Sequence, residues 1–208
     1  MTAVNNTNLS NEAILSLNDI HKSFGGIHAL AGVSFDLRAG EVHALVGENG
    51  AGKSTLIKTI TGAYTADKGT IKIGEVEYES LTPQQARRLG VGVVYQEFNL
   101  LPDMPVSENI FLSAPPMGRF GLIDTRERAK QAYQLLERLG AHTHIDPYAL
   151  VKDLTVGEQQ IVEIATALAT DAHILIMDEP SAVLPSRDMD RLYAVIKALR
   201  EEGQGIIY

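Results

Sequence analysis

Cysteine does not occur among the 208 residues, so disulfide bonds and thiolate zinc sites are excluded. Long apolar runs are absent too: the run HILIM before Asp178 is far shorter than the roughly 18 residues that a membrane-spanning helix needs. The net charge of -8 argues against a domain that binds a nucleic-acid backbone. Metal-ligand spacing is missing from the six histidines, whose one close pair, His142 and His144, is predicted to lie in a loop.

The first residues, MTAVNNTNLSNEA, contain neither the basic stretch nor the apolar stretch of a secretory signal, and we predict a disordered lead-in over 1–13. The rest of the chain has the composition of a globular protein, with 45% hydrophobic and 21% charged residues. Its length suits one domain with a substantial core, or one domain that carries a smaller subdomain.

Local patterns predict an α/β fold with an antiparallel β layer near its start. Residues 13–24 and 28–40 are expected to pair around a Gly25-Gly26 turn, and residues 69–78 to form a second hairpin with Gly74 in its turn. Between them, a short apolar strand at 41–46 leads through a glycine-rich loop into a helix that ends at Gly62. Further strands are predicted up to Gln96, over 173–178 and from 203 to the last residue.

The segment 97–154 differs from its surroundings because it combines several prolines with a short helix around 108–112 and a longer helix over 124–140. The predicted apolar face of the longer helix comprises Ala129, Ala132, Tyr133, Leu136 and Leu139. We predict that this segment is an α-helical subdomain inserted between two segments of the core, 14–96 and 155–208.

The strongest motif is GENGAGKS at 47–54, which matches the phosphate-binding pattern G-x-x-x-x-G-K-[ST] between a strand and a helix. Backbone N–H groups and the helix dipole favour an anion there. Lys53 is expected to reach the β- and γ-phosphates, Ser54 to ligate Mg²⁺ and Thr55 to donate to the α-phosphate. The alternative is a glycine-rich turn that only starts a helix. The predicted nucleotide-binding residues are Gly47, Glu48, Asn49, Gly50, Ala51, Gly52, Lys53, Ser54 and Thr55.

An acidic pair, Asp178 and Glu179, follows the apolar run ILIM. Asp178 is expected to face the magnesium ion, and Glu179 to act as the general base that polarises the attacking water. The alternative is a pair of surface carboxylates before a turn at Pro180. Nucleotide kinases and hydrolytic ATPases both fit a phosphate-binding loop, and the acidic pair favours hydrolysis, since a kinase must exclude water from its acceptor site.

In order along the chain, these residues resemble the ATP-binding-cassette ATPases from about Ile14 onward. The resemblance implies a P-loop NTPase (RecA-like) core. It identifies GENGAGKST with the Walker A loop, VVYQE with the Q-loop, LTVGEQQ with the family signature, ILIMDE with Walker B and SAVLP with the D-loop. It implies that Phe24 stacks on adenine, that Lys53, Gln96 and Glu179 are catalytic, and that Ser54, Gln96 and Asp178 hold Mg²⁺ beside ATP.

Within the family, DLTVGEQQIVEIATAL followed by DEPSAVL is most similar to the ATPases of bacterial carbohydrate importers. That resemblance implies a peripheral subunit at the cytoplasmic face of the membrane. Its partners would be a second cassette, a transmembrane permease and a periplasmic or extracellular sugar-binding protein. An importer of another small solute such as a nucleoside, a non-transport ATPase of this family, a small-molecule kinase and a nucleotide-binding module without turnover remain as alternatives.

The family's H-loop histidine would follow Tyr208, which leads us to expect an N-terminal cassette fragment that binds Mg-ATP weakly and hydrolyses it poorly. Val156 and Glu158 depart from the usual signature, and Ala182 and Pro185 depart from the usual D-loop.

The signature itself has two interpretations. Thr155 and Glu158 have the spacing of a capping box at a helix start. The same helix start, with Gly157 lacking a side chain, can also offer backbone amides to a phosphate held by another cassette. The resemblance assigns Thr155, Val156, Gly157 and Glu158 to this second role.

Overall fold

The computed structural model describes residues 12–48, 50–95, 98–178 and 185–208. Its strands are β1 (Ala13–Phe24), β2 (Ile27–Arg38), β3 (Val42–His43), β4 (Lys68–Ile73), β5 (Val76–Tyr78), β6 (Val91–Val94), β7 (Ile174–Met177) and β8 (Gly205–Ile207). Its helices are α1 (Lys53–Ile60), α2 (Pro83–Arg88), α3 (Val106–Ile110), α4 (Thr125–Arg138), α5 (Val156–Leu168) and α6 (Ser186–Glu201), with short 3-10 turns at Arg119–Gly121 and Val151–Asp153. Within these ranges, no helix has the length and apolar character that crossing a membrane requires.

An antiparallel sheet forms from the two predicted hairpins, in the strand order β2-β1-β4-β5. Gly25 and Gly26 turn the first hairpin with φ of 56° and 86°, which glycine adopts without steric cost. Strand β1 pairs with β2 on one side and with β4 on the other, so the two hairpins form one layer. The predicted antiparallel layer is confirmed.

A second sheet is parallel throughout, in the order β3-β8-β7-β6. Every residue of β7 is buried, as expected for a continuous apolar strand covered on both faces. The edge strand β3 is shorter than the strand predicted at 41–46, although Leu45 still donates to the carbonyl of Tyr208 at 2.8 Å. Among the described residues, β3 pairs with β8 alone, and Val46, which lies beyond β3, is 90% exposed.

Two hydrophobic clusters meet at the parallel sheet. Ile174 and Ile176 of β7 pack with the antiparallel sheet and α1, whereas Leu175 and Met177 pack with helices α3 to α6. This division follows from the alternation of side chains along a strand. The α/β fold class is therefore confirmed, with the parallel sheet between an antiparallel layer and a helical layer.

The longer helix of the predicted subdomain begins where expected, because the carboxylate of Asp124 accepts from the N–H groups of Arg126 and Glu127 at 3.1 and 2.9 Å. Four of its five predicted core residues are buried, and the fifth is an error: Tyr133 is 43% exposed. Its ring lies edge-on to the ring of His142, with 5.7 Å between the centroids. Tyr133 thus packs at the surface of the helix and does not enter the core.

Helix α2 was not predicted, although its start has a clear sequence signal. Thr82 and Gln85 form a reciprocal capping box, and Pro83 occupies the first helical turn. Helix α5, predicted as core, shares a hydrophobic cluster with α3 and α4 as well as with α6. The division into a core at 14–96 and 155–208 and a subdomain at 97–154 remains a prediction.

Candidate functional site

The glycine-rich loop lies between β3 and α1, as its motif predicts. Gly50 and Gly52 have φ of 87° and 94°, and Gly52 caps the start of α1. The first turn of α1 contains no acidic residue that would oppose the helix dipole's attraction for an anion. Asn49, one of the predicted binding residues, lies outside the described part of the chain. The local backbone is that of a helix start that suits a phosphate group.

The two glycines serve different needs. A Cβ atom added at Gly52 would lie 2.3 Å from the carbonyl oxygen of Ala29, so β2 approaches the loop too closely for any side chain. A Cβ atom added at Gly50 would meet nothing within 4 Å, so this glycine faces open space. Gly52 therefore permits close packing and Gly50 leaves the backbone accessible to a ligand.

Lys53 bends back over the loop that precedes it. Its Nζ donates to the carbonyl oxygen of Gly47 at 2.6 Å and to that of Glu48 at 3.3 Å. A cation whose partners here are neutral carbonyls gains more from a phosphate oxygen, because hydrogen bonds between charged groups are stronger. The lysine is thus placed to exchange partners when an anion enters the loop.

A cavity of about 310 Å³ opens beside this lysine. Its lining residues are Ala29, Glu48, Gly50, Gly52, Lys53, Ser54 and Thr55. Such a volume lies at the lower end of small-molecule sites. Six of the seven lining residues belong to the predicted nucleotide-binding set, so these six residues surround one hollow with a cation and a helix start. These residues fit a nucleotide phosphate chain.

Asp178 follows β7 at the same edge of the parallel sheet. Its backbone N–H donates to the carbonyl of Val94 at 3.0 Å, and its side chain is half-buried. Strand β8 lies between β7 and β3 in the parallel sheet. Asp178 follows β7, and Ser54 in α1 follows β3 and the glycine-rich loop, so both come after the carboxyl ends of strands at one edge of the sheet. A hydroxyl and a carboxylate are the oxygen ligands that Mg²⁺ prefers, and these residues fit that ion.

The structure does not describe every predicted catalytic or metal-binding residue. Gln96 and Glu179 lie outside the described residues, as does Ala182. Among the residues that are described, no group of three or more histidines, aspartates or glutamates forms a metal site by itself. The metal-binding and catalytic roles of these residues remain predictions.

Phe24 ends β1 and is 44% exposed. Its ring meets that of Tyr64 edge-on with 5.3 Å between centroids, and the ammonium of Lys22 lies 5.4 Å from the ring centroid. Phe24 does not line the cavity beside Lys53. The exposed part of the ring can stack on a planar group, and its contact with adenine remains a prediction.

The start of α5 is a complete capping box. The hydroxyl of Thr155 accepts from the N–H of Glu158 at 3.3 Å, and the carboxylate of Glu158 accepts from the N–H of Thr155 at 2.8 Å. The same carboxylate accepts from the Thr155 hydroxyl at 2.9 Å. The acidic side chain of Glu158 is therefore directed back into the cap of its own helix.

Gly157 has a reason within this chain to lack a side chain. It is buried, and a Cβ atom added there would lie 2.7 Å from Cγ of Asp188 on α6. Val156, which precedes it, is 40% exposed. Pro185 forms the N-cap of α6. The start of α5 thus has one face packed on α6 and one open.

The sequence profile of the family described as ABC transporter matches residues 30–182, a range that contains both the glycine-rich loop and the start of α5. The chain belongs to the ABC transporter family. This confirms the resemblance on which the sequence analysis relied, and the family binds ATP.

Individual relatives are close in sequence. The chain is 50% identical to the ribose import ATP-binding protein RbsA 2 of Streptomyces coelicolor over 199 residues, which are 96% of this chain and 38% of that protein. It is 45% identical to the arabinose import ATP-binding protein AraG of Pseudomonas syringae over 194 residues, 93% of this chain and 38% of that protein. The chain thus spans less than two fifths of the length of these relatives.

Solved structures of the family share the fold. The ADP conformation of MJ1267, an ATP-binding cassette of an ABC transporter, superposes with a TM-score of 0.83 at 28% identity and covers 94% of this chain and 80% of that one. The fold class is confirmed by this likeness.

Sequence reasoning missed two contacts of α5. One joins Gly157 to Asp188, and the other joins Glu163 to Asn99, whose N–H donates to its carboxylate at 2.6 Å. The charge within the apolar run QIVEIA was the available signal for the second contact, because a buried carboxylate requires a partner. Nothing in the sequence pattern indicates the first.

Proposed function

We propose that this chain is the ATP-binding and ATP-hydrolysing part of an importer that carries a sugar across a bacterial membrane. The observation that carries the proposal is the hollow beside Lys53, where a cation, a helix start and an accessible glycine backbone surround one space. The import proteins that resemble this chain supply the class of transported solute.

The described residues bind the substrate in defined ways. Lys53 leaves the carbonyls of Gly47 and Glu48 for the β- and γ-phosphates, and the first amides of α1 donate to phosphate oxygens. Ser54 and Asp178 would hold Mg²⁺, which would neutralise charge on the phosphates when bound. Glu179 and Gln96 lie outside the described residues; the family resemblance gives Glu179 the role of general base and Gln96 that of a magnesium ligand. Phe24 would stack on the adenine.

A second cassette completes the site in this proposal. The start of α5, with Thr155, Val156, Gly157 and Glu158, faces the phosphates bound by the other cassette. Thr155 and Val156 are exposed there, whereas Gly157 is buried against Asp188. ATP then favours the closed pair because only there do its phosphates meet two sets of donors. The Glu158 carboxylate adds little repulsion, since its capping bonds direct it toward Thr155.

The proposed partners follow from this role. They are a transmembrane permease, a second cassette and a sugar-binding protein outside the cytoplasm, with this chain peripheral at the cytoplasmic face of the membrane. Ribose and arabinose are the sugars that the names of the relatives give. Import of another small solute is the second candidate, because both relatives share this chain's cassette and differ in the named sugar.

Turnover of ATP tests the proposal directly. Phosphate release by the wild-type chain is compared with Glu179→Gln and with Glu201→Gln, a control on the exposed end of α6. We expect Glu179→Gln to abolish turnover while ATP still binds, because only the general base is lost. Full turnover by Glu179→Gln would remove Glu179 as the base, and the absence of turnover from a wild-type chain paired with its second cassette would contradict the proposed activity.

A further inference from the structure

A second hollow lies along helix α4 and is larger than the hollow beside Lys53. Its volume is about 520 Å³, which is within the range of small-molecule sites. The amino-terminal half of α4 lines one side of it, and the turn at 142–148 lines the other. This α4 hollow shares no lining residue with the hollow beside Lys53, so it does not belong to the ATP site.

Apolar and aromatic side chains form much of the α4 hollow. Ala129 and Ile145 are 5% and 1% exposed, and Pro147 is buried, so these residues form its floor. Two tyrosine rings also line it, Tyr133 and Tyr148, which are 43% and 68% exposed. An accessible tyrosine ring offers an apolar face, and the C–H face of a sugar ring packs well on such a surface.

Two cations line the α4 hollow without strong partners. Arg126 forms no ion pair and no side-chain hydrogen bond within the part of the chain that the structure describes. Lys130 lies 3.5 Å from a carboxylate oxygen of Glu127, and because both side chains are exposed this pair contributes little. Asp146 is the acidic residue of the described lining, and one of its oxygens accepts from the N–H of Tyr148 at 2.9 Å. The lining therefore has more positive than negative charge, although the net charge of the chain is -8.

Histidine and threonine side chains add hydrogen-bonding groups to the same hollow. Neither ring nitrogen of His142 makes a hydrogen bond within the described residues, and its Nδ1 atom is buried. No hydrogen bond fixes the orientation of this ring, so a rotation about its Cβ–Cγ bond can present Nδ1 to a ligand. Thr143 and His144 line the hollow and are exposed. Sugar hydroxyl groups both donate and accept, so they can pair with an imidazole in either tautomer and with the threonine hydroxyl.

We propose that the α4 hollow binds a small phosphorylated sugar. A phosphate monoester carries nearly two negative charges at neutral pH, which matches the cations of Arg126 and Lys130. The two tyrosine rings pack on the sugar, and the histidine and threonine side chains pair with its hydroxyl groups. The inference does not rest on the proposed function, because no residue of this hollow belongs to the predicted nucleotide-binding set.

Calorimetric titration of the full chain with ribose 5-phosphate tests the proposal, with ribose and inorganic phosphate as separate ligands. We expect ribose 5-phosphate to bind about tenfold tighter or more than either, because it alone engages both the cations and the tyrosine rings. NMR spectra locate the ligand. The ring signals of His142 and His144 should shift on addition of ribose 5-phosphate, and the amide signals of Gly50 and Gly52 should not.

Two variants remove one recognition element each. Arg126→Gln should weaken the binding of ribose 5-phosphate about tenfold or more, because a hydrogen-bonded ion pair is lost. Tyr148→Ala should weaken it about threefold or more. Both side chains are exposed, so we expect thermal unfolding to be unchanged. Arg88→Gln on α2 and Tyr193→Ala on α6 are the matched controls, because they change exposed residues outside the α4 hollow and should stay within about twofold of the wild type.

Equal affinities for ribose 5-phosphate and inorganic phosphate would overturn the inference, since the hollow would then recognise only an anion. An unchanged affinity in Arg126→Gln would overturn it too, as would shifts of Gly50 and Gly52 without shifts of the histidine rings. AMP is titrated into Lys53→Ala, and tighter binding of AMP than of ribose 5-phosphate at the α4 hollow would assign the site to a nucleotide instead. Failure of the chain to bind ATP would bear on the proposed function alone.

Discussion

The hydrogen-bond partners of Lys53 are neutral carbonyl oxygens, which a phosphate oxygen can replace. Its ammonium donates to two carbonyl oxygens of the loop that it would close, at 2.6 and 3.3 Å, beside a hollow whose backbone is accessible at Gly50. Because these hydrogen bonds already restrict the Lys53 side chain, it loses less conformational entropy when a ligand binds. At this scale the site is preorganised by contacts within one short segment.

Glu163 should make stability depend on pH in a predictable direction. Burial raises the pKa of its carboxyl above the ordinary value of 4.5. The folded chain then holds more protons than the unfolded chain from about pH 4.5 up to that raised pKa, so the free energy of unfolding falls as pH rises through this window. Glu163→Gln should remove this fall.

Urea unfolding of the wild type and Glu163→Gln at a series of pH values measures the difference. We expect the two free energies to converge in acid, where the carboxyl is protonated, and the variant to be relatively more stable at neutral pH. A difference that is constant across the series, or one that grows in acid, would contradict the proposed desolvation of this carboxylate.

Gly157 should be intolerant of a side chain for a reason inside the chain. A Cβ atom there would lie 2.7 Å from Cγ and 2.8 Å from Cβ of Asp188, so Gly157→Ala should lower the free energy of unfolding by about 1–3 kcal/mol. Asp188→Gly removes both opposing atoms. The double variant should therefore lose less than the sum of the two single losses.

Denaturant unfolding of the four proteins measures this coupling. Strictly additive losses would show that Gly157 does not need Asp188 as a neighbour. If the coupling is found while the double variant still fails to support turnover with a second cassette, Gly157 has the additional, intermolecular role that the family resemblance implies.

At the scale of elements, two helix starts differ in how their amides are used. Helix α1 begins after a glycine, with no side-chain cap and no acidic residue in its first turn. Helix α5 begins with a reciprocal capping box. The first start is thus open to a phosphate within its own chain, whereas the second is stabilised before any partner arrives.

Removing the cap of α5 should cost stability. Thr155→Ala deletes the hydroxyl that accepts from the N–H of Glu158, and we expect a loss of about 1 kcal/mol in the free energy of unfolding. Glu158→Gln is the control, because glutamine also completes a capping box, and its effect should stay within about 0.5 kcal/mol. Equal losses in the two variants, measured by thermal unfolding, would contradict this expectation, because the charge of Glu158 would then contribute as much as the Thr155 cap.

The sequence predicted those elements whose signals are local. The hairpin at Gly25-Gly26, the helix that ends at Gly62 and the N-cap at Asp124 depend on neighbouring residues, and all three are confirmed. Helix α2 had an equally local signal at Thr82 and was overlooked.

Tertiary placement explains the remaining differences. Tyr133 has the spacing of the apolar face of α4, yet its side chain is 43% exposed. Whether a residue at the edge of such a face is buried depends on the neighbouring elements, which the spacing does not specify. The contacts of Glu163 with Asn99 and of Gly157 with Asp188 join residues far apart in the chain. Neither periodicity nor spacing carries that information.

At the scale of the whole molecule, β7 is shared by both hydrophobic clusters, and its carboxyl end carries Asp178. Strand β8 joins it to β3, which leads into the glycine-rich loop. The packing of two layers on one parallel sheet therefore brings the loop and the carboxylate to one edge. A phosphate-binding loop and a carboxylate at one edge of a sheet are what the family's binding of ATP requires.

The central claim is that the loop of Lys53 binds the phosphates of ATP, and calorimetric titration of Mg-ATP tests it most directly. Lys58→Ala is the control, since Lys58 lies on the same helix, is exposed and stands over the Tyr64 ring at 5.3 Å. We predict that Lys53→Ala weakens the ATP affinity about tenfold or more, while Lys58→Ala stays within about twofold of the wild type. Equal affinities in the wild type and Lys53→Ala would contradict the account.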